Sequence, residues 1–195
     1  MIADRLRAAF AAGAGQLDQT EDDRVAGLPI EDFVPAAVLV PIIDAPEPRI
    51  LLTVRHAGMR KHAGQVAFPG GRIDPGDADP IDAALREATE EIGLPRDRVD
   101  VIGAAAPYKT GTNYLITPVL GVIPDGLVMV PHEAEVSDIF EVPLAHVLAP
   151  ANHLRKSAMW QGTERHFYEI PWEGYRIWGV TAALIVNLSR RLGPL

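Results

Sequence analysis

Apolar residues change their spacing along the chain, and each change marks an element. From 34 to 43 they run almost unbroken, Val34-Pro35-Ala36-Ala37-Val38-Leu39-Val40-Pro41-Ile42-Ile43, as in a strand buried on both faces. Asp44-Ala45-Pro46-Glu47-Pro48 then supplies a turn. Shorter runs predict strands over 50–55, 65–68, 99–105, 114–123 and 139–142. Between 160 and 178 aromatic and polar residues alternate around Glu173-Gly174, which predicts a hairpin. Ile81, Ala84, Leu85, Ala88 and Ile92 keep the three/four spacing of one helical face. Asp79 is placed to cap that helix, Pro80 sits at its first position, and Gly93 stops it. A short helix is expected over 2–12 and an amphipathic one over 181–191, with a polar acidic stretch over 16–32 and a glycine-rich loop over 70–79. Many strands and few helices, with no internal repeat, predict an α+β domain: a mixed sheet between helical layers, α/β/α.

The 195 residues suit a single domain spanning 1–195, with a helical extension over about 1–33. With no cysteine, a disulfide framework, a thiolate metal site and a cysteine nucleophile are excluded. The longest apolar runs are too short to span a bilayer, and Met1-Ile-Ala-Asp-Arg-Leu-Arg carries charge where an export signal would be apolar. A cytoplasmic protein without a membrane partner is the expectation. A net charge of −8 argues against broad nucleic-acid binding.

That charge is unevenly spread. Residues 51–72 hold four basic side chains and no acidic one, whereas 73–91 hold seven acidic side chains against Arg86 alone. Within the helix, Glu87, Glu90 and Glu91 stand at i, i+3 and i+4, a spacing that costs a few tenths of a kcal/mol per like-charged pair. Arg86 is spaced to pair with Glu90. A cluster of oxygen donors with few opposite charges suits a hard divalent cation, and magnesium in such surroundings commonly binds substrate phosphates. None of the six histidines has zinc-ligand spacing, and neither a Gly-x-Ser-x-Gly elbow nor a Gly-rich Lys-Ser/Thr phosphate loop is present.

The run Arg86-Glu87-Ala88-Thr89-Glu90-Glu91-Ile92-Gly93-Leu94, following Gly71, resembles the Nudix box, here about 70–94. That box is the signature of hydrolases acting on nucleoside diphosphates linked to another moiety. Leu51-Leu52-Thr53-Val54-Arg55 and His62-Ala63-Gly64-Gln65-Val66-Ala67-Phe68-Pro69-Gly70-Gly71 resemble the additional signature of the coenzyme A pyrophosphatase branch. The box usually places a Glu six residues after its glycine and an Arg eight residues further on. Here Asp77 stands at the first place and Arg86 nine residues beyond it, so the loop is one residue longer.

The resemblance implies a Nudix fold and metal-dependent hydrolysis of the pyrophosphate of coenzyme A or its thioesters. The alternatives are another nucleoside diphosphate substrate, such as ADP-ribose or a dinucleotide, and a non-catalytic nucleotide sensor. It assigns Glu87, Glu90 and Glu91, with the Gly71 carbonyl, to Mg2+ or Mn2+. Glu87 as a base or water-orienting group is the other reading. Arg86 joins the catalytic group as an anchor for the carboxylates or the loop, and Glu135, with Glu133 as its neighbour, resembles the distal acid. Arg55, Arg60, Lys61 and Arg72 are the phosphate-binding candidates, beside Gly70 and Gly71. Among Trp160, Phe167, Tyr168, Trp172, Tyr175 and Trp178, an adenine-stacking or pantetheine-lining side chain competes with ordinary hairpin packing. The implied partner is a small-molecule nucleotide, and a homodimer is the assembly considered.

Overall fold

The computed structural model describes residues 1–13, 25, 27–58, 63–160 and 162–193. The long apolar run forms β1 (Val34–Asp44), which pairs in parallel along its whole length with β7 (Tyr114–Pro124). Burial on both faces explains the unbroken apolar pattern. Ala37, Leu39 and Ile43 enter the core beneath α2 (Pro80–Ile92), while Val40 and Ile42 enter the core beneath α4 (Val180–Leu192). The second core also takes in α1 (Ile2–Ala12) and the short α3 (Leu144–Leu148). A mixed sheet between helical layers is therefore the architecture, as expected for the α+β class.

β1 divides one of its edges between two strands. β2 (Arg49–Arg55) pairs with it only at Ile42 and Ile43, and β4 (Gly70–Arg72) pairs with Ala36, Ala37 and Val38 further along. Beyond the fork β2 runs against β8 (Val136–Pro143), and its end also takes β3 (Val66–Ala67). β5 (Asp100–Ala104) and β6 (Tyr108–Lys109) pair with β7. The fork brings a glycine-rich strand against the sheet where α2 crosses it.

α2 begins and ends where its sequence predicts. The Asp79 side chain accepts from the Asp82 amide at 2.8 Å, and Gly93 closes the helix in the left-handed region at φ 66°. Ala84, Ala88 and Ile92 are buried, with Ile81 and Leu85 half-buried.

Several expectations change. The loop expected over 70–79 opens with strand β4, because Gly70-Gly71-Arg72 takes antiparallel register against Ala36, Ala37 and Val38 of β1. The hairpin around Glu173-Gly174 forms from β10 (Thr163–Trp172) and β11 (Tyr175–Trp178), and gains a third strand, β9 (Leu154–Trp160). α4, expected to be amphipathic, is buried over most of its surface because the sheet, α1, α3 and β10 enclose it. Most of the acidic stretch over 16–32 lies outside the described residues, as do Arg60, Lys61 and His62. Among the described residues no helix is long and apolar enough to cross a membrane.

Candidate active site

The three helical glutamates meet very different surroundings. Glu91 is only 4% exposed, Glu87 is half-buried and Glu90 faces solvent. A buried carboxylate needs donors. Glu91 accepts from the Gly70 amide at 3.1 Å, and its other oxygen lies 3.7 Å from Arg55 Nη1. Burial still dominates, pushing the Glu91 carboxyl up to about 7, with further upward pressure from the charges of Glu87 and Glu135. Glu87 is raised for the same first reason, and Arg86 offsets part of it.

Two glycines permit this approach. A Cβ on Gly71 would stand 2.5 Å from Glu87 Oε1, so the side-chain carboxylate lies directly against the β4 backbone. Gly70 has φ 157° and leaves no room for a Cβ beside the Ala37 carbonyl. The glycine pair is thus required by close packing of helix against strand.

Arg86 organises the acidic groups. It donates from Nε and Nη2 to the two oxygens of Asp77 at 2.9 and 3.0 Å, a bidentate clasp. Its Nη1 donates to Glu87 at 2.9 Å and to Glu90 at 3.0 Å, and Nη2 also reaches the Arg72 carbonyl at 3.1 Å. These bonds hold the Asp77 carboxyl down at about 2, helped by the Asp74 amide, and stabilise the Arg86 cation further. Asp77 therefore reaches the box arginine although the spacing between them is one residue longer than usual.

A third segment closes the end of α2. The Val130 and His132 amides donate to the Ile92 and Glu91 carbonyls at 2.9 and 2.8 Å, satisfying orphan acceptors of the last turn. The chain then turns through Glu135, whose amide donates to the His132 carbonyl and whose carbonyl accepts from the His56 amide at 2.7 Å. Glu135 is close enough for its charge to raise both Glu87 and Glu91, and its Oε1 lies 3.5 Å from His132 Nδ1.

The structure thus brings together Glu87, Glu91, Gly70, Gly71, Arg55 and Glu135, with Arg86 and the exposed Glu90 alongside. The Arg72 side chain turns away, donating to the Tyr114 hydroxyl at 3.3 Å. Arg60 and Lys61 lie outside the described residues. The backbone contributions of His56, Val130 and His132 were not foreseen, since no local signal marks a loop that docks on a helix end far along the chain.

Among the described residues no three carboxylate or imidazole groups are gathered as a ready metal cage. The donor set nevertheless suits a hard cation: oxygen atoms only, with two of the carboxylates raised by burial and by neighbouring carboxylate charge. In this arrangement Arg86 Nη1 engages one oxygen of Glu87 and one of Glu90.

Comparison with known proteins agrees with this geometry. Residues 33–161, about two thirds of the chain, match the NUDIX domain family. The chain is 45% identical over 158 residues to the uncharacterized Nudix hydrolase NudL of Escherichia coli K12, covering 81% of this chain and 82% of that one. It is 44% identical over 157 residues to the NudL protein of Photorhabdus laumondii, covering 80% and 84%. Among solved structures, the Nudix hydrolase RenU of M. smegmatis aligns with a TM-score of 0.50 and 28% identity over 58% of this chain and 73% of that one. A Deinococcus radiodurans protein aligns with a TM-score of 0.52 over 78% and 80% at 14% identity, a likeness of fold alone. The chain belongs to the Nudix family and is a Nudix hydrolase.

Proposed function

We propose that this protein hydrolyses the pyrophosphate linkage of coenzyme A or its thioesters, giving adenosine 3',5'-bisphosphate and 4'-phosphopantetheine or its acyl derivative. The observation that carries the reaction class is the burial of Glu87 and Glu91 against Gly70-Gly71, with Glu135 facing them and Arg55 beside them. The choice of coenzyme A rests on the signature in 51–55 and 62–71. The catalytic unit is taken as one domain over 1–195, with 1–33 as an extension.

Glu87, Glu90 and Glu91, with the Gly71 carbonyl, would hold Mg2+ or Mn2+. When bound, such a cation lowers the pKa of water and offsets charge on the phosphoryl oxygens. Arg86, clasped by Asp77, positions the carboxylates. Glu135 takes the proton of the attacking water, the new P–O bond forms to that water's oxygen, and the bridging P–O bond breaks toward the leaving phosphate. Arg55 meets the phosphate charge.

The test is incubation of the purified protein with coenzyme A, ADP-ribose and NADH, with and without Mg2+ or Mn2+, followed by separation of products. Metal-dependent release of adenosine 3',5'-bisphosphate from coenzyme A is the expected result. Cleavage of ADP-ribose or NADH with coenzyme A untouched overturns the substrate assignment, and no turnover of any of them favours the sensor reading.

A further inference from the structure

The three-stranded sheet β9–β10–β11 has two unlike faces. Ile170 and Ile177, opposite one another in the ladder, are completely buried in the core beneath α4. Alternation then turns Lys156, Arg165, Phe167, Glu169, Arg176 and Trp178 to the outer face. Phe167 and Trp178 meet edge to face with centroids 5.6 Å apart. The Arg176 guanidinium lies over both rings, 4.8 Å from Trp178 and 5.7 Å from Phe167, and is paired with Glu169. This makes a layer of aromatic and guanidinium planes only partly covered by the protein.

Two cations beside that layer lack a carboxylate. Lys156 stands opposite Phe167, and Arg165 stands opposite Ala158, so the two are diagonal neighbours on the same face. Among the described residues neither makes an ion pair with Asp or Glu, and Arg165 Nε is a buried donor with no hydrogen-bond partner. In a chain of net charge −8, an aromatic surface flanked by uncompensated cations has the complement of a nucleoside phosphate.

Its place in the fold fits that ligand. The Arg55 amide donates to the Gln65 carbonyl at 2.9 Å, and Thr181 Oγ1 donates to the next carbonyl along, that of Val66, also at 2.9 Å. Thr181 follows Trp178 by only three residues, so β11 ends beside the strand segment that carries Arg55 toward Glu91.

We propose that the outer face of β9–β11 is the nucleoside subsite: the base layers on Trp178, Arg176 and Phe167, and Lys156 with Arg165 holds the 3'-phosphate of the adenosine. This deepens the coenzyme A reading and rests on it for the identity of the ligand. It makes Lys156 and Arg165 specificity-determining residues, because dephospho-coenzyme A and AMP lack the group they bind.

The test uses the full chain and two readouts. Adenosine 3',5'-bisphosphate and AMP are titrated into metal-free protein while tryptophan fluorescence is followed, in wild type, Lys156→Gln, Arg165→Gln and Trp178→Phe. Steady-state constants are then measured for coenzyme A and dephospho-coenzyme A with metal present. The expected result is that Lys156→Gln and Arg165→Gln weaken bisphosphate binding about tenfold and leave AMP binding unchanged. KM for coenzyme A rises by a similar factor at constant kcat, KM for dephospho-coenzyme A does not change, and Trp178→Phe abolishes most of the fluorescence response. Lys156 is exposed, so its variant stays informative if Arg165→Gln fails to fold. Bisphosphate binding in Lys156→Gln equal to wild type, or equal losses for coenzyme A and its dephospho form, overturns the subsite. Absence of coenzyme A turnover with Lys156-dependent bisphosphate binding overturns the substrate reading and leaves the subsite standing.

Discussion

Asp77 engages Arg86, nine positions further along the chain, with both carboxylate oxygens, at 2.9 Å from Nε and 3.0 Å from Nη2. This pair spends two guanidinium donors on the loop and leaves Nη1 to spread over Glu87 and Glu90. Asp77→Asn keeps the shape but halves the acceptor capacity, so Arg86 loses its fixed plane. The expected result is a fall in kcat of about tenfold with little change in KM, measured on the pyrophosphate substrate.

The same variant has a pH signature. The Asp77 carboxyl is held at about 2, below its ordinary 3.8, chiefly by the Arg86 hydrogen bonds. A depressed carboxylate contributes stability above its unfolded pKa and loses it as pH falls through the folded value. Wild type is therefore expected to lose its thermal advantage over Asp77→Asn between about pH 4 and 2. Melting curves across that range check this, and a constant difference would contradict the pairing.

Gly71 and Gly70 give contrasting substitutions. In Gly71→Ala the new Cβ meets the end of the Glu87 side chain at 2.5 Å, a group free to swing aside. Activity is expected to fall roughly tenfold or more while the melting temperature changes little. In Gly70→Ala the obstacle is the backbone of Ala37 and Val38, at φ 157°, so stability itself is lost. Thermal melts beside turnover assays separate the two.

Much of this was legible along the chain, and the limits have physical causes. The α2 boundaries were readable because a capping Asp79, Pro80 and Gly93 act through local backbone chemistry. The buried β1 was readable because burial on both faces leaves an unbroken apolar run. The unequal fates of Glu87, Glu90 and Glu91 were not, because helical spacing places side chains on a helix but not the helix on a sheet. What buries Glu91 is β4, a strand made of Gly70-Gly71-Arg72 that reads locally as a loop. Asp77 reaches Arg86 despite the longer spacing because a loop can absorb one extra residue.

Glu135 and Glu133 make a paired test of the distal acid. Glu135 presses upward on both Glu87 and Glu91, from a turn fixed by the His56 and His132 backbones. Glu135→Gln is expected to lower kcat by about 10²-fold, the usual scale for losing a positioned base, and Glu133→Gln to behave as wild type. Equal effects of the two, read from initial rates, would remove Glu135 from the reaction.

Glu91 supplies the sharpest pH test, because its carboxyl is raised to about 7 by burial. The sign is opposite to that of Asp77. A raised carboxyl binds its proton more tightly in the folded chain, so the contribution of Glu91 to stability is greatest below the unfolded value, 4.5, and declines as pH rises from there toward 7. In chelator-treated protein, wild type should lose thermal stability across that window. Glu91→Gln should not, since an amide oxygen still accepts from the Gly70 amide and no charge develops beside Glu87. At pH 8 the variant should melt at or above the wild-type temperature while having lost metal-stimulated activity. Added Mg2+ should raise the melting temperature of wild type alone, because the cation binds the ionised form that burial disfavours. A variant less stable than wild type at pH 8 without metal would show that Glu91 is held for structure by Arg55 and Gly70.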